Sequence, residues 1–193
     1  MTASHTVALL LGFEPAVGTV RVSRADDDNE RHSDAPAFRI WPPVALGVPL
    51  TVALILSASV GDPVSLPAKP SRWIGASLII AFALWNGWTL LVMATHRTSI
   101  LPGGPANLIL QAGPFRVSRN PLYLGLIALD AGLATITPST WALLSMPIGI
   151  AALRWGAIAP EERYLAAKFG AEYDAYRARV RRWLRTRPVR PPS

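Results

Sequence analysis

Long apolar segments separated by shorter polar ones dominate the chain from residue 40 onward. The first two carry no charge and are close to the roughly 20 residues that a helix needs to cross the hydrocarbon core of a bilayer. The third contains Asp130, the fourth contains Arg154 near its end, and the two can form a hairpin. We therefore predict four transmembrane helices, over residues 40–60, 73–94, 121–137 and 140–159.

The C-terminal segment has a different periodicity. Aromatic and apolar side chains recur at steps of three and four residues with basic residues between them, which predicts an amphipathic helix over residues 161–187 that can break at Gly170. Pro160 before two glutamates is typical of a helix start. The aromatic stripe predicts a helix at the membrane interface. The predicted fold class is an all-α integral membrane protein with about four transmembrane helices and a C-terminal amphipathic interfacial helix.

The composition favours a membrane protein over a soluble helical bundle. Of the 193 residues, 51% are hydrophobic and 16% are charged, which is more apolar than a small soluble core requires. The net charge is +7, but the basic residues flank apolar segments and form no aromatic-interleaved face, so we expect no nucleic-acid partner. The chain has no cysteine and three widely spaced histidines, so we expect no metal site.

Basic residues are concentrated before the third apolar segment and in the C-terminal tail. The positive-inside rule places both regions in the cytoplasm. Four crossings would place both termini there, and we expect a multi-pass protein of a prokaryotic inner membrane. Residues 1–38 lack the basic start and cleavage site of a signal peptide, and we interpret them as a disordered cytoplasmic leader. The remainder, 39–193, is the predicted membrane domain.

Two motifs lie at the predicted membrane boundary. "GPFRVSRNPLYLG" (residues 113–125) places Arg119 just before Pro121, which opens the third apolar segment, and "PEERYLAAKFGAEYDAYRARVRRWL" (160–184) follows the fourth. Together they resemble the signature pair of the isoprenylcysteine carboxyl methyltransferase and phospholipid methyltransferase superfamily of integral membrane enzymes. The resemblance covers residues 95–184. It depends on the order and spacing of both motifs, since either one alone is weak.

The resemblance implies S-adenosyl-L-methionine as the methyl donor, and the motif residues suit its charges. Glu161 and Glu162 are implied to bind its ammonium, and Arg119 to bind its carboxylate as a charge-assisted partner. Because Pro121 opens a helix, first-turn N–H groups remain for an anionic group. Capping of a helix start is the simpler interpretation of the glutamates. The other implied cofactor-binding residues are Asn107, Leu108, Ile109, Leu110 and Phe115 around the adenosyl group, and Asn120, Leu122 and Tyr123 at the helix start.

Methyl transfer also requires a nucleophilic acceptor. Arg154, within an apolar segment, is the candidate catalytic residue that would meet an acceptor carboxylate or phosphate, and interfacial anchoring is its alternative role. Asn120 occupies the position where the eukaryotic carboxyl methyltransferases have histidine, so the acceptor stays open. The candidates are an isoprenylcysteine-type carboxylate, a phospholipid amine and a small thiol, reached at the cytoplasmic membrane face.

Two other functions remain open at this point. An NADPH-dependent membrane reductase of the sterol-reductase type has a similar Asn-Pro-Tyr-Gly-like motif, although Glu161 and Glu162 would repel the phosphates of its cofactor. A non-enzymatic membrane protein would use Asp130 and Arg154 as intramembrane charges. That hypothesis leaves both motifs without a role.

Overall fold

Six α-helices are formed by the residues that the computed structural model describes, 39–96 and 106–184. They are α1 (Pro42–Val60), α2 (Ala68–Thr95), α3 (Pro121–Ile136), α4 (Thr140–Leu153), α5 (Ala159–Phe169) and α6 (Ala171–Arg179). These ranges contain no strand, which confirms the all-helical prediction for the described part of the chain. The predicted leader, 1–38, lies outside the described residues.

Within residues 39–96 and 106–184, three helices are long and apolar enough to cross a membrane. They are α1, α2 and a continuous helix over Thr140–Phe169, whereas α3 is a shorter apolar helix of 16 residues. The first and third predicted segments agree closely with α1 and α3, and α2 begins at Ala68 instead of residue 73. A fourth crossing by α3 stays a prediction.

The predicted boundary at Pro160 is not a helix end. A π-helical turn, Arg154–Ile158, joins α4 to α5 within one helix. Proline has no N–H, so the carbonyl of Gly156, four residues earlier, loses its usual helical donor. That carbonyl instead accepts the backbone N–H groups of Arg39 at 2.9 Å and Ile40 at 3.3 Å. Because the chain before α1 satisfies this carbonyl, the helix continues through the proline.

The C-terminal helical segment is broken at Gly170. This glycine has a φ of 50°, in the region that side-chain-bearing residues rarely adopt, and it separates α5 from α6. The helix ends at Arg179, and Val180 has an extended conformation with φ of −118° and ψ of 128°. The prediction of helix as far as residue 187 is therefore wrong for residues 180–184, and 185–187 lie outside the described residues.

α3 is the central helix of the bundle. It packs along α2 on one side and against α1 and α4 on the other, and α1 packs along α4. Glycines permit the close contact between α2 and α3, since a Cβ at Gly75 would lie 2.5 Å from the Ile136 nitrogen and 2.7 Å from the Gly132 carbonyl oxygen. The core between α1, α3 and α4 includes Ala45, Leu46, Leu50, Ala53, Tyr123, Ala134, Ala142 and Leu153.

The outward faces of the long helices are apolar. On α1, exposed aliphatic side chains recur every three or four residues, and α2 and α4 carry similar faces. Apolar surface of this extent on several neighbouring helices is what a bilayer would cover. Its members include Val44, Val48, Val52, Ile55, Ile80, Leu84, Leu91, Leu144 and Ile148.

The bundle has two polar ends. At one end, the Asp62 carboxylate accepts hydrogen bonds from the Ser139 hydroxyl and the Trp141 backbone N–H, both at 3.1 Å. At the other end, the Arg119 backbone N–H donates to the Arg181 carbonyl at 3.0 Å. The loop before α3 and the tail therefore lie at the same end, in agreement with their shared basic character. Their cytoplasmic location stays a prediction.

Candidate functional site

Arg119 and Glu162 form a largely buried ion pair at the end of the bundle where the tail lies. The Arg119 Nη1 atom is 3.3 Å from Glu162 Oε1, and the two side chains are 10% and 14% exposed. Arg119 Nη1 also donates to the Tyr173 hydroxyl at 3.2 Å. Arg182 binds the same carboxylate at two points, with Nη2 2.6 Å from Oε2 and Nε 3.1 Å from Oε1. Glu162 is therefore bridged by two arginines.

Glu161 has a different environment although it is the adjacent residue. Its Oε2 atom accepts a hydrogen bond of 2.6 Å from the Tyr123 hydroxyl, and it forms no ion pair with any residue of 39–96 or 106–184. Tyr123 is buried on α3, in a cluster that includes Leu46 and Leu153. Successive side chains on a helix point about 100° apart, so one carboxylate faces α3 and the other faces the tail.

The first turn of α3 presents open N–H donors next to Arg119. The helix begins at Pro121, which has no N–H, and the N–H of Leu124 bonds to the carbonyl of the residue before the helix at 3.0 Å. The N–H groups of Leu122 and Tyr123 have no acceptor within the described ranges. The buried Nε of Arg119, two residues before Pro121, also has no partner among the described residues. Three N–H donors thus lie within five residues of sequence, at a helix N-terminus that favours anions.

Residues 118–120, called here the entry segment of α3, are held by the tail. The Arg182 carbonyl accepts hydrogen bonds from the Ser118 hydroxyl at 3.1 Å and from Asn120 Nδ2 at 3.4 Å. The Ser118 hydroxyl also accepts the Asn120 backbone N–H at 3.1 Å. The Asn120 side chain therefore contacts the tail and does not cap α3.

The aromatic side of α6 faces the protein. Tyr173 and Tyr176 are 1% and 4% exposed, and the Tyr176 hydroxyl donates to the Phe115 carbonyl at 2.7 Å. Burial raises the pKa of both hydroxyls above the usual value of 10.0. These two tyrosines therefore face the loop before α3, and the location of this segment at the membrane interface stays a prediction.

The five loop residues predicted to surround the adenosyl group lie at this end of the bundle with different exposures. Leu110 is buried, and Ile109 packs against the buried tyrosines of α6. Asn107 and Leu108 are exposed, and Phe115 is half-buried in the 3-10 turn before α3. Their contact with a ligand stays a prediction.

Arg154, the predicted catalytic residue, forms no hydrogen bond or ion pair with this cluster. It is exposed in the π-helical turn, and its Cζ atom lies 6.0 Å from the ring centroid of Trp155, which is also exposed. Among residues 39–96 and 106–184 it forms no ion pair. Asp130, the acidic residue of the third apolar segment, is buried on α3, and its Oδ1 atom has no partner in those ranges. The position of Arg154 is compatible with anchoring, and its encounter with an acceptor stays a prediction.

Two contributors to the site were not predicted from the sequence. Arg182 is one of many basic residues in the tail, and its role depends on a glutamate 20 residues earlier. Ser118 depends on a carbonyl 64 residues later. Neither partner could be identified from local sequence. Within the described ranges, no group of three His, Cys, Asp or Glu residues could hold a metal ion.

Comparison with known proteins bears on this cluster. A model of the family described as "Phospholipid methyltransferase" matches residues 70–172, more than half of the 193 residues. An uncharacterized protein of Haemophilus influenzae (strain ATCC 51907 / DSM 11121 / KW20 / Rd) is 38% identical over 63 residues, which cover 33% of this chain and 100% of that protein. No solved structure matches the chain. The family match includes Arg119, Tyr123, Glu161 and Glu162 and ends before Arg182.

Proposed function

The chain belongs to the phospholipid methyltransferase family, a family of integral membrane methyltransferases, and from this we propose that it transfers a methyl group from S-adenosyl-L-methionine to a hydrophobic or membrane-associated acceptor. The acceptor candidates remain an isoprenylcysteine-type carboxylate, a phospholipid amine and a small thiol. Family membership favours methyl transfer over an NADPH-dependent reduction or a purely non-enzymatic role. We place the reaction at the cytoplasmic face of a prokaryotic inner membrane, on the basis of the basic charge at this end of the bundle.

The observation that carries the proposed donor is the buried, unpartnered Nε of Arg119 within the described residues. The amino-acid end of S-adenosyl-L-methionine bears a carboxylate and an ammonium, so its site must offer both charges close together. The free guanidinium N–H of Arg119 and the open N–H groups of Leu122 and Tyr123 suit the carboxylate. Glu161, whose partner is the neutral hydroxyl of Tyr123, suits the ammonium. The residues present therefore fit this donor.

The two glutamates have different proposed roles. Glu162 is already bridged by Arg119 and Arg182, so its charge is compensated within the protein. We assign it the role of orienting Arg119. Glu161 has no cationic partner in the described part of the chain, so we assign it the role of binding the ammonium of the donor.

S-Adenosyl-L-methionine supplies a methyl group bonded to a positively charged sulfur, and that group can pass directly to a nucleophilic oxygen, nitrogen or sulfur. The residues of the site need only position the reactants and exclude water for such a transfer. A carboxylate or thiolate acceptor requires no general base, whereas an amine must lose a proton. No side chain has to form a covalent bond.

Binding of S-adenosyl-L-methionine and NADPH to the detergent-solubilised protein, measured by calorimetry, tests this proposal. We expect S-adenosyl-L-methionine to bind and NADPH not to bind. Arg119→Lys keeps the positive charge but loses the planar guanidinium group, which can form two hydrogen bonds to one carboxylate. Affinity for the donor should therefore fall. Arg177→Gln is the matched control, because Arg177 lies on the exposed face of α6 and pairs with the exposed Asp174 at 3.1 Å. NADPH binding, or no binding of S-adenosyl-L-methionine, would contradict the proposal.

A further inference from the structure

Arg182 connects two parts of the candidate site through separate groups. Its guanidinium binds both oxygens of Glu162, at 3.1 and 2.6 Å. Its carbonyl accepts hydrogen bonds from Ser118 and Asn120 in the entry segment of α3. A single residue of the tail thus holds both the carboxylate of α5 and the chain that leads into α3.

The guanidinium of Arg182 also determines how Arg119 can bind Glu162. Arg182 occupies Glu162 in a forked, two-point contact, while Arg119 reaches the same carboxylate through Nη1 alone, at 3.3 Å. The Nε of Arg119 is consequently left without a partner in the described residues. Without Arg182, Glu162 would be free to form the forked pair with Arg119, which is the geometry that arginine and carboxylate prefer.

Electrostatics supports the strength of this contact. The hydrogen bond to Glu162 raises the pKa of Arg182 above its ordinary value. The side chain of Arg182 is 31% exposed and that of Glu162 is 14% exposed, so water screens the pair only in part.

We propose that Arg182 is a positioning residue for the donor site: by occupying Glu162, it leaves Arg119 with a free N–H for the carboxylate of an amino-acid-type ligand. The inference rests on the proposed function, since that ligand is the methyl donor. Arg182 itself contacts neither the donor nor the acceptor in this proposal. Arg182 acts on the donor site through Glu162 and Arg119.

The test measures binding of S-adenosyl-L-methionine to the full-length protein in detergent for Arg182→Gln, Arg182→Lys and the control Arg177→Gln. We expect Arg182→Gln to raise Kd by about 10- to 100-fold, the size of one charge-assisted hydrogen bond. Arg182→Lys should raise Kd by less, because lysine keeps the positive charge but cannot form the bidentate contact with Glu162. Arg177→Gln should stay within about twofold of the wild type.

A double-mutant cycle separates this role from a general loss of structure. If Arg182 acts through Glu162, Arg182→Gln should change Kd by less than about twofold when introduced into Glu162→Gln. An equally large change in both backgrounds would overturn the inference. If Arg182→Gln does not fold, Arg182→Lys in the two backgrounds gives the same comparison.

The two proposals fail differently. A wild-type protein that binds no S-adenosyl-L-methionine overturns the proposed function and this inference with it. A wild-type protein that binds the donor while Arg182→Gln binds it equally well overturns the inference alone.

Discussion

Glu161 and Glu162 are adjacent and chemically identical, yet each meets different neighbours. Glu161 faces the Tyr123 hydroxyl, and Glu162 faces Arg119 and Arg182. Loss of the two charges should therefore have different physical consequences. Loss of the Glu161 charge should affect ligand binding alone, whereas loss of the Glu162 charge should also lower the stability of the folded protein.

We expect Glu161→Gln to lower affinity for S-adenosyl-L-methionine at least about tenfold with little change in thermal stability, because glutamine keeps the contact with Tyr123 and loses only the charge. Glu162→Gln leaves two guanidiniums without their shared counter-charge, so it should lower the free energy of unfolding by about 3 kcal/mol. Calorimetric titration and thermal unfolding in detergent measure the two effects. Equal loss of stability in both variants would show that both glutamates are structural.

The shared location of the motif residues could be predicted from the sequence, but the different contacts of the two glutamates could not. Arg119, Tyr123, Glu161 and Glu162 do lie at one end of the bundle, as the two motifs indicated. The direction in which each glutamate points depends on the phase of its helix. The π-helical turn at Arg154–Ile158 changes that phase, and the turn has no clear signal in the sequence.

At the scale of elements, the contact between α2 and α3 depends on the absence of side chains. A Cβ at Gly75 would approach backbone atoms of Ile136 and Gly132 closer than real Cβ atoms do. Backbone cannot move aside as the end of a flexible side chain can. A Cβ at Gly87, on the same helix, meets nothing within 4 Å.

Gly75→Ala should therefore lower the free energy of unfolding by about 1–3 kcal/mol, since α2 and α3 would have to separate. Gly87→Ala is the matched control and should be neutral or slightly stabilising, because alanine favours the helix over glycine. Thermal unfolding of both variants in detergent gives the comparison. A similar shift for both would mean that the α2–α3 contact is looser than described.

The opposite polar end links α1 to α4 through Asp62. The hydrogen bond from the Ser57 hydroxyl, at 2.5 Å, is the largest cause that lowers the pKa of Asp62 below its usual value of 3.8. Partial burial opposes this shift, and bonds from Trp141 and Ser139 add to it. The carboxylate is thus preferred in its charged form when the protein is folded.

This lowered pKa predicts a pH dependence of stability. A group with a depressed folded pKa contributes stability above its unfolded value and loses it as the pH falls through the folded value. The contribution of Asp62 should be complete above pH 3.8 and disappear at lower pH. Melting temperatures from pH 7 downward should fall less in Asp62→Asn than in the wild type over that acidic range. Asp174→Asn, on the exposed surface of α6, should retain the wild-type slope.

The positions of helices could be predicted from the sequence where a helix coincides with one uninterrupted apolar segment. α1 and α3 lie almost where the hydrophobic segments indicated. The failures involve partners that are distant in sequence. The helix passes through Pro160, where Arg39 and Ile40 satisfy the Gly156 carbonyl.

At the scale of the whole molecule, the arrangement of the two polar ends predicts membrane topology. A reporter fused after Leu110 and another after Pro192 should both read as cytoplasmic, and one inserted near Ser65 should read as external. The reporters after Leu110 and after Pro192 must give the same location, because the entry segment and the tail contact each other directly. An external reading for the tail alone would contradict both the four-crossing prediction and this contact.

The bonds between the entry segment and Arg182 span 62 and 64 residues of chain. During translation, Ser118 and Asn120 leave the ribosome well before the carbonyl that will hold them has been synthesised. The hydrophobic segments of α3 and α4 can therefore enter the bilayer while the polar groups that precede α3 still have water as their partner. Assembly of the site, which needs the Arg182 carbonyl, can therefore follow membrane insertion of these segments.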